Sequence, residues 1–203
     1  MMPMLKNFYF LILLLLATTV QAQEVSPKCV LQQLAIDAAI GDPVAQYNLG
    51  VEFFRGADVP QDFAKAAILW RKASDAGDIG AANNLGFLKY YGRPGVEQDY
   101  SEGIRLWRLA AERGHAESQV HMGQAYSDGR FLKSDFIEAY AWAKTGKHYS
   151  SKLYDTFDNP KIVELVARDA EKVLAEVSPK LSNVERAAAD KKAAEYIRKF
   201  PPK

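Results

Sequence analysis

Residues 45–56 read AQYNLGVEFFRG, and the same frame returns as AANNLGFLKYYG over 81–92 and as SQVHMGQAYSDG over 118–129. Each copy places one glycine mid-segment and one at its end: Gly50 and Gly56, Gly86 and Gly92, Gly123 and Gly129. Successive copies are 36 and 37 residues apart. Self-similarity at such a period marks stacked supersecondary units that bury their apolar faces against one another.

Outward from these segments, Asp62, Asp99 and Asp135 come next, and Gly41, Gly77 and Gly114 recur at the same period. Each unit therefore reads as two helices. In the first helix, Ala45, Leu49 and Phe53 share one face. Asp62, Asp99 and Asp135 suit the start of the second helix, where a carboxylate accepts from exposed backbone N–H groups. Gly41, Gly77 and Gly114 suit its left-handed end. Asp42-Pro43 restarts a helix, with aspartate as cap and proline at the first helical position. Gly50, Gly86 and Gly123 fall inside a helix, where glycine costs about 1 kcal/mol against alanine. Three such glycines at one repeat position imply a partner helix in close contact. Trp70, Trp107 and Trp142 are expected to fill the layer between units, Trp142 one position early, where Leu69 and Leu106 stand in the other units.

These residues follow the pattern A-x-x-x-L-G-x-x-[YF]-x-x-G, then D-x-x-K-A-x-x-[WL]-[WY]-x-x-A-x-x-G. The pattern resembles the Sel1-like repeat, a relative of the tetratricopeptide repeat, across about 42–148. Departures are Lys89 in place of an aromatic, Ser118 in place of alanine, and a third unit without the alanine-rich end of its second helix. The expected fold class is all-α: an α/α solenoid of repeats 42–77, 78–114 and 115–148. A capping helix within 23–41 precedes it, with Leu31 to Ile40 helical and closed by Gly41. The C-terminal region, 149–203, holds two further capping helices. One starts at Asp158-Asn159-Pro160, carries an apolar stripe of Leu165, Ala167, Val173 and Leu174, and breaks at Ser178-Pro179. The other is capped by Ser182 and runs to about Phe200.

The first 22 residues read as a signal peptide. Lys6 precedes an apolar run from Phe8 to Val20, and Val20-Gln21-Ala22 has the small-x-small form of a cleavage site. That run is short of the roughly 20 residues a spanning helix needs. Cleavage after Ala22 with no stable membrane insertion is expected, and a periplasmic or secreted location with it. The single cysteine, Cys29, precludes an intrachain disulfide and reads as a small apolar residue of the first helix. With Lys+Arg 26 against Asp+Glu 25, the chain lacks the basic field that holds nucleic acid.

Chemistry-bearing motifs are sparse. G-x-S-x-G, G-x-x-x-x-G-K-[ST], H-E-x-x-H and Ser-x-x-Lys do not occur, so no catalytic residue, metal ligand or cofactor site is assigned. Of the three histidines, His115 and His121 do not share a tight helical face. Glu117 and His121, four apart, read as an ordinary surface pair. Gly92-Arg93-Pro94-Gly95 reads as a one-residue insertion in an inter-helix turn.

What remains is a surface. Tyr47, Val51, Phe54 and Arg55 share a second face of the first helix, matched by Asn83, Phe87, Tyr90 and Tyr91, and then by Val120, Gln124, Ser127 and Asp128. In tetratricopeptide-like stacks these positions line the concave side, so the resemblance implies that Arg55, Asn83, Tyr90, Tyr91 and Gln124 form the exposed part of a partner-binding face. The expected function is a protein–protein interaction module, a scaffold or regulator of an envelope process. An immunity protein neutralising an exported toxin is the alternative, and an envelope or peptidoglycan-acting hydrolase the alternative of another class. A bonded Ser/His/Asp or two-carboxylate group in a cleft would favour the hydrolase.

Overall fold

The glycines that follow helices sit where the backbone reverses. Gly56 and Gly129 close first helices at φ 69° and 65°, and Gly41, Gly77 and Gly114 close second-type helices at φ 101°, 101° and 89°, the left-handed region that glycine enters without strain. A computed structural model describes residues 27–150 and 160–202. The signal-peptide reading and the cap at Asp158-Asn159 lie outside these residues. The chain divides into two units after Gln33, and the repeats and the tail helices all belong to the larger, Leu34–Lys203.

Helix α1 spans Pro27–Ala39, and three pairs come after it: α2 Pro43–Arg55 with α3 Phe63–Asp75, α4 Ile79–Tyr91 with α5 Tyr100–Glu112, and α6 Ala116–Asp128 with α7 Phe136–Ser150. Helix α8, Pro160–Val177, passes through a 3₁₀ turn at Ser178–Lys180 into α9, Asn183–Lys199. No strand is present among the described residues, and the only sheet-like feature there is the Arg93–Val96 bridge. This bridge closes the inserted turn.

The caps form as the repeat register requires. Asp62, Asp99 and Asp135 each accept from the backbone N–H three residues on, at 2.9, 2.9 and 3.0 Å. Asp42 and Asp78 cap α2 and α4. In the third repeat His115 takes that place, its Nδ1 accepting from Ser118 N at 3.3 Å. Ser182 and Glu185 form a full capping box on α9.

The mid-helix glycines admit the tryptophans. A Cβ on Gly50 would stand 2.5 Å from Trp70 Nε1, and one on Gly86 2.7 Å from Trp107 Cδ1. Each indole donates across the pair, Trp70 Nε1 to Tyr47 O at 3.1 Å and Trp107 Nε1 to Asn83 O at 3.2 Å. The third repeat departs from this. Its tryptophan is one residue early, a turn of about 100° round the helix. Trp142 therefore leaves the slot and meets α9, its ring centroid 4.4 Å from Tyr196 and 5.5 Å from Phe200. Gly123 lies against α7 backbone instead, where a Cβ would stand 2.9 Å from Ala139 O.

The tail is placed differently from its apolar pattern. Helix α8 packs on both α6 and α7, and α9 on α7. The buried stripe of α8 is Val163, Val166, Ala170, Val173 and Val177, whereas Leu165 is 44% exposed. Val163, Val166, Ala170 and Val173 recur at three- and four-residue steps, so these mostly β-branched residues make the continuous seam and Leu165 falls beside it. Cys29 lies on α1 as expected, but exposed.

Candidate functional site

The first helices of the three repeats, together with α8, which packs on the third of them, line one groove. The groove between them holds about 390 Å³. Tyr47, Phe54 and Arg55 come from α2, Asn83, Asn84 and Phe87 from α4, Glu117, Val120, His121 and Gln124 from α6, and Ile162, Leu165 and Asp169 from α8. The repeat period explains the first three walls, since equivalent positions of successive first helices face the same way.

Arg55 and Gln124 are exposed on this groove, at the placement the resemblance implied. Asn83 and Tyr90 require a correction: they are 2% and 1% accessible. Asn83 forms the groove floor. Its Nδ2 donates to Glu117 Oε2 at 3.0 Å, and its Oδ1 accepts from Ser118 Oγ at 2.7 Å, which ties the second repeat to the third. Tyr90, seven residues further along α4, has turned off the groove into the seam between repeats. Its ring lies 4.7 Å from Trp107, and its hydroxyl donates to the Asp128 carboxylate at about 3.0 Å. Burial and that carboxylate raise its pKa far above the ordinary phenol value. Tyr91 is half-buried beside Phe87, ring centroids 4.9 Å apart, and lines no part of the groove. Further along the set, Ser127 is buried and donates to Glu176 of α8 at 2.7 Å.

The Glu117–His121 pair is no ordinary surface pair. It lies in the groove wall, 3.8 Å between Glu117 Oε1 and His121 Nε2. Trp107 stacks on the imidazole, and burial holds the His121 pKa down to about 4, so the ring is neutral near pH 7. Burial pushes the Glu117 pKa up, Asn83 opposes this, and the Asp169 charge adds to the rise.

Ser118 Oγ lies 3.1 Å from His115 Nδ1, but the serine is fully buried and donates to Asn83. A substrate does not reach a hydroxyl so placed. Glu117 and Asp169 are not bonded to each other either: Asp169 is held by Lys172 at 2.8 Å. Among the described residues no group of three or more His, Cys, Asp or Glu side chains is arranged to hold a metal. No described helix is long and apolar enough to cross a membrane.

The periodicity of α6 already put Glu117 and His121 on one face, and the groove makes that pairing matter. The α8 wall carried no such signal, because nothing local says which way a tail helix folds back.

A family model described as Sel1 repeat matches residues 43–78, 79–115 and 116–145, just over half of the chain. No curated protein matches it. Among solved structures, the chain is similar to a protective antigen of uropathogenic Escherichia coli strains that displays an SLR fold. That similarity has 22% identity and a TM-score of 0.57, covering 87% of this chain and 42% of that one. It is also similar to a Sel1 repeat protein from Oxalobacter formigenes, with 23% identity and a TM-score of 0.54, covering 70% of this chain and 63% of that one. The chain thus spans less than two thirds of either, and at these identities the likeness concerns the fold.

Proposed function

Since the chain belongs to the Sel1 repeat family, whose members mediate protein–protein interaction, we propose that it is a periplasmic interaction module, a scaffold or regulator of an envelope process. Its partner inserts a segment into the groove between α2, α4, α6 and α8. The observation that carries this reading is the groove itself. Ile162 and Leu165 are 43% and 44% exposed on its α8 wall, and Phe54 and Phe87 face it from the repeats. Apolar anchors beside convergent polar groups are what a protein segment needs for affinity and register. The envelope location rests on the leader-like residues 1–22.

Photo-crosslinking tests both parts. A photoreactive residue at Gln124 should label an envelope protein, whereas one at the exposed Glu112, outside the groove, should not. The exported chain should begin at Gln23. Equal labelling from both positions, or an intact Met1 on a membrane-bound product, overturns the reading. A toxin as the labelled partner would assign the immunity role instead.

A further inference from the structure

Glu117 is a half-buried carboxylate in the groove wall, with no lysine or arginine beside it among the described residues. Its side chain keeps 46% of its accessible surface, so it is reachable from the groove. Its neighbours are the Asn83 amide at 3.0 Å and the His121 ring at 3.8 Å. The amide is neutral, and so is the ring at neutral pH. Two other half-buried carboxylates do have a cation. Glu102 has Arg71 at 2.5 Å and Arg105 at 2.7 Å, and Glu138 has Lys192 at 2.6 Å.

The remaining charges of the groove do not compensate Glu117. Arg55, the one cation of the lining, makes no ion pair with it among the described residues. Asp169 is negative and faces it from α8, and both nearby cations of Asp169, Lys172 at 2.8 Å and Arg168 at 3.6 Å, come from α8 itself. Two like charges thus look into one partly apolar groove. A partly desolvated carboxylate without a counter-charge is mildly unfavourable, and the protein on one side of it also strengthens its attraction to an incoming cation.

We propose that the groove takes a protein segment carrying a lysine or arginine, whose cationic head docks on the Glu117 carboxylate while flanking apolar side chains lie on Phe54, Phe87 and Leu165. This deepens the groove reading and rests on it. A cation there meets Glu117 directly, relieves its repulsion with Asp169, and sits beside aromatic rings that favour positive charge. Arg55, at another part of the lining, suits an acidic or carboxamide group of the same segment and fixes its direction.

The test uses a random dodecapeptide phage library selected on residues 23–203, with the selected peptides titrated by calorimetry. Enriched peptides should share one Lys or Arg next to apolar residues. Replacing that residue by Gln, or Glu117→Gln in the protein, should each weaken binding by at least about tenfold. Glu117→Gln retains the oxygen that accepts from Asn83, so circular dichroism should be unchanged. Gln124→Trp, which obstructs the groove without altering charge, should abolish binding. Peptides that Gln124→Trp blocks but Glu117→Gln does not would overturn the cationic docking while leaving the groove reading intact. Peptides insensitive to Gln124→Trp, or no peptides at all, would overturn the groove reading and the inference with it.

Discussion

Trp107 and His121 stack across the junction of the second and third repeats, ring centroids 4.5 Å apart and planes 19° from parallel. The indole fills the slot opposite Gly86 on one side and covers the groove histidine on the other. One side chain therefore couples the internal packing of one repeat to the wall of the next.

Trp107→Ala should lower stability by about 3–5 kcal/mol, because a buried tryptophan leaves a large cavity and Asn83 O loses its donor. The urea midpoint reads this directly. An unchanged midpoint would mean that the seam between repeats contributes nothing.

Gly86→Ala separates packing from helix propensity. In an isolated helix the substitution stabilises by about 1 kcal/mol. Here the added methyl would stand 2.7 Å from Trp107 Cδ1, on a rigid ring with no flexible end to withdraw. A net loss of about 1–3 kcal/mol is expected, of the size found for overpacking. A stabilised variant would show that the indole slot is loose.

Acid should weaken the fold through two histidines. Burial lowers both His115 and His121 from 6.5 to about 4. Between those values the unfolded chain binds more protons than the folded one. The stability of the neutral rings is therefore complete above about pH 6.5 and is lost as pH falls towards 4. At pH 5 the loss is at most about 2 kcal/mol per histidine. Protonation of His115 also removes the acceptor that caps α6. Glu117, with its raised pKa, gains a proton in the folded state and opposes part of this loss. Urea midpoints at pH 7.5 and 5.0 should differ clearly for the natural chain. The gap should narrow in a His115→Asn, His121→Phe variant, which keeps a cap and a stacking ring. An equal gap in both would remove the histidines as its cause.

Phe200→Ala should loosen the third repeat by about 3 kcal/mol and red-shift tryptophan emission. Phe200 stacks on Trp142 at 14° between planes, and its carbonyl accepts from the buried Gln119 amide. If emission and midpoint both stay put, Trp142 is shielded by Tyr196 alone.

Much of this architecture is local and therefore readable from the chain. Helix starts follow from Asp62, Asp99 and Asp135, because a cap needs only the three residues after it. Reversals follow from Gly41, Gly77 and Gly114, because φ is a property of one residue. The recurrence of Gly50, Gly86 and Gly123 implied a close partner, and the tryptophan rings and α7 backbone are those partners. The same periodicity put Arg55 and Gln124 on one face, where the groove finds them.

Tertiary structure alone decided the rest. A shared helical face says nothing about what a neighbouring helix covers, so Asn83 and Tyr90 belong to the same stripe as Arg55 yet lie under α5 and α6. A one-residue shift of Trp142 becomes meaningful only because α9 waits there with Tyr196 and Phe200. The Glu117 carboxylate gains its character from Asn83, Trp107-backed His121 and Asp169, most of them far from it along the chain. Burial and the sum of nearby charges are set by contacts between segments far apart in sequence, and no local pattern encodes those.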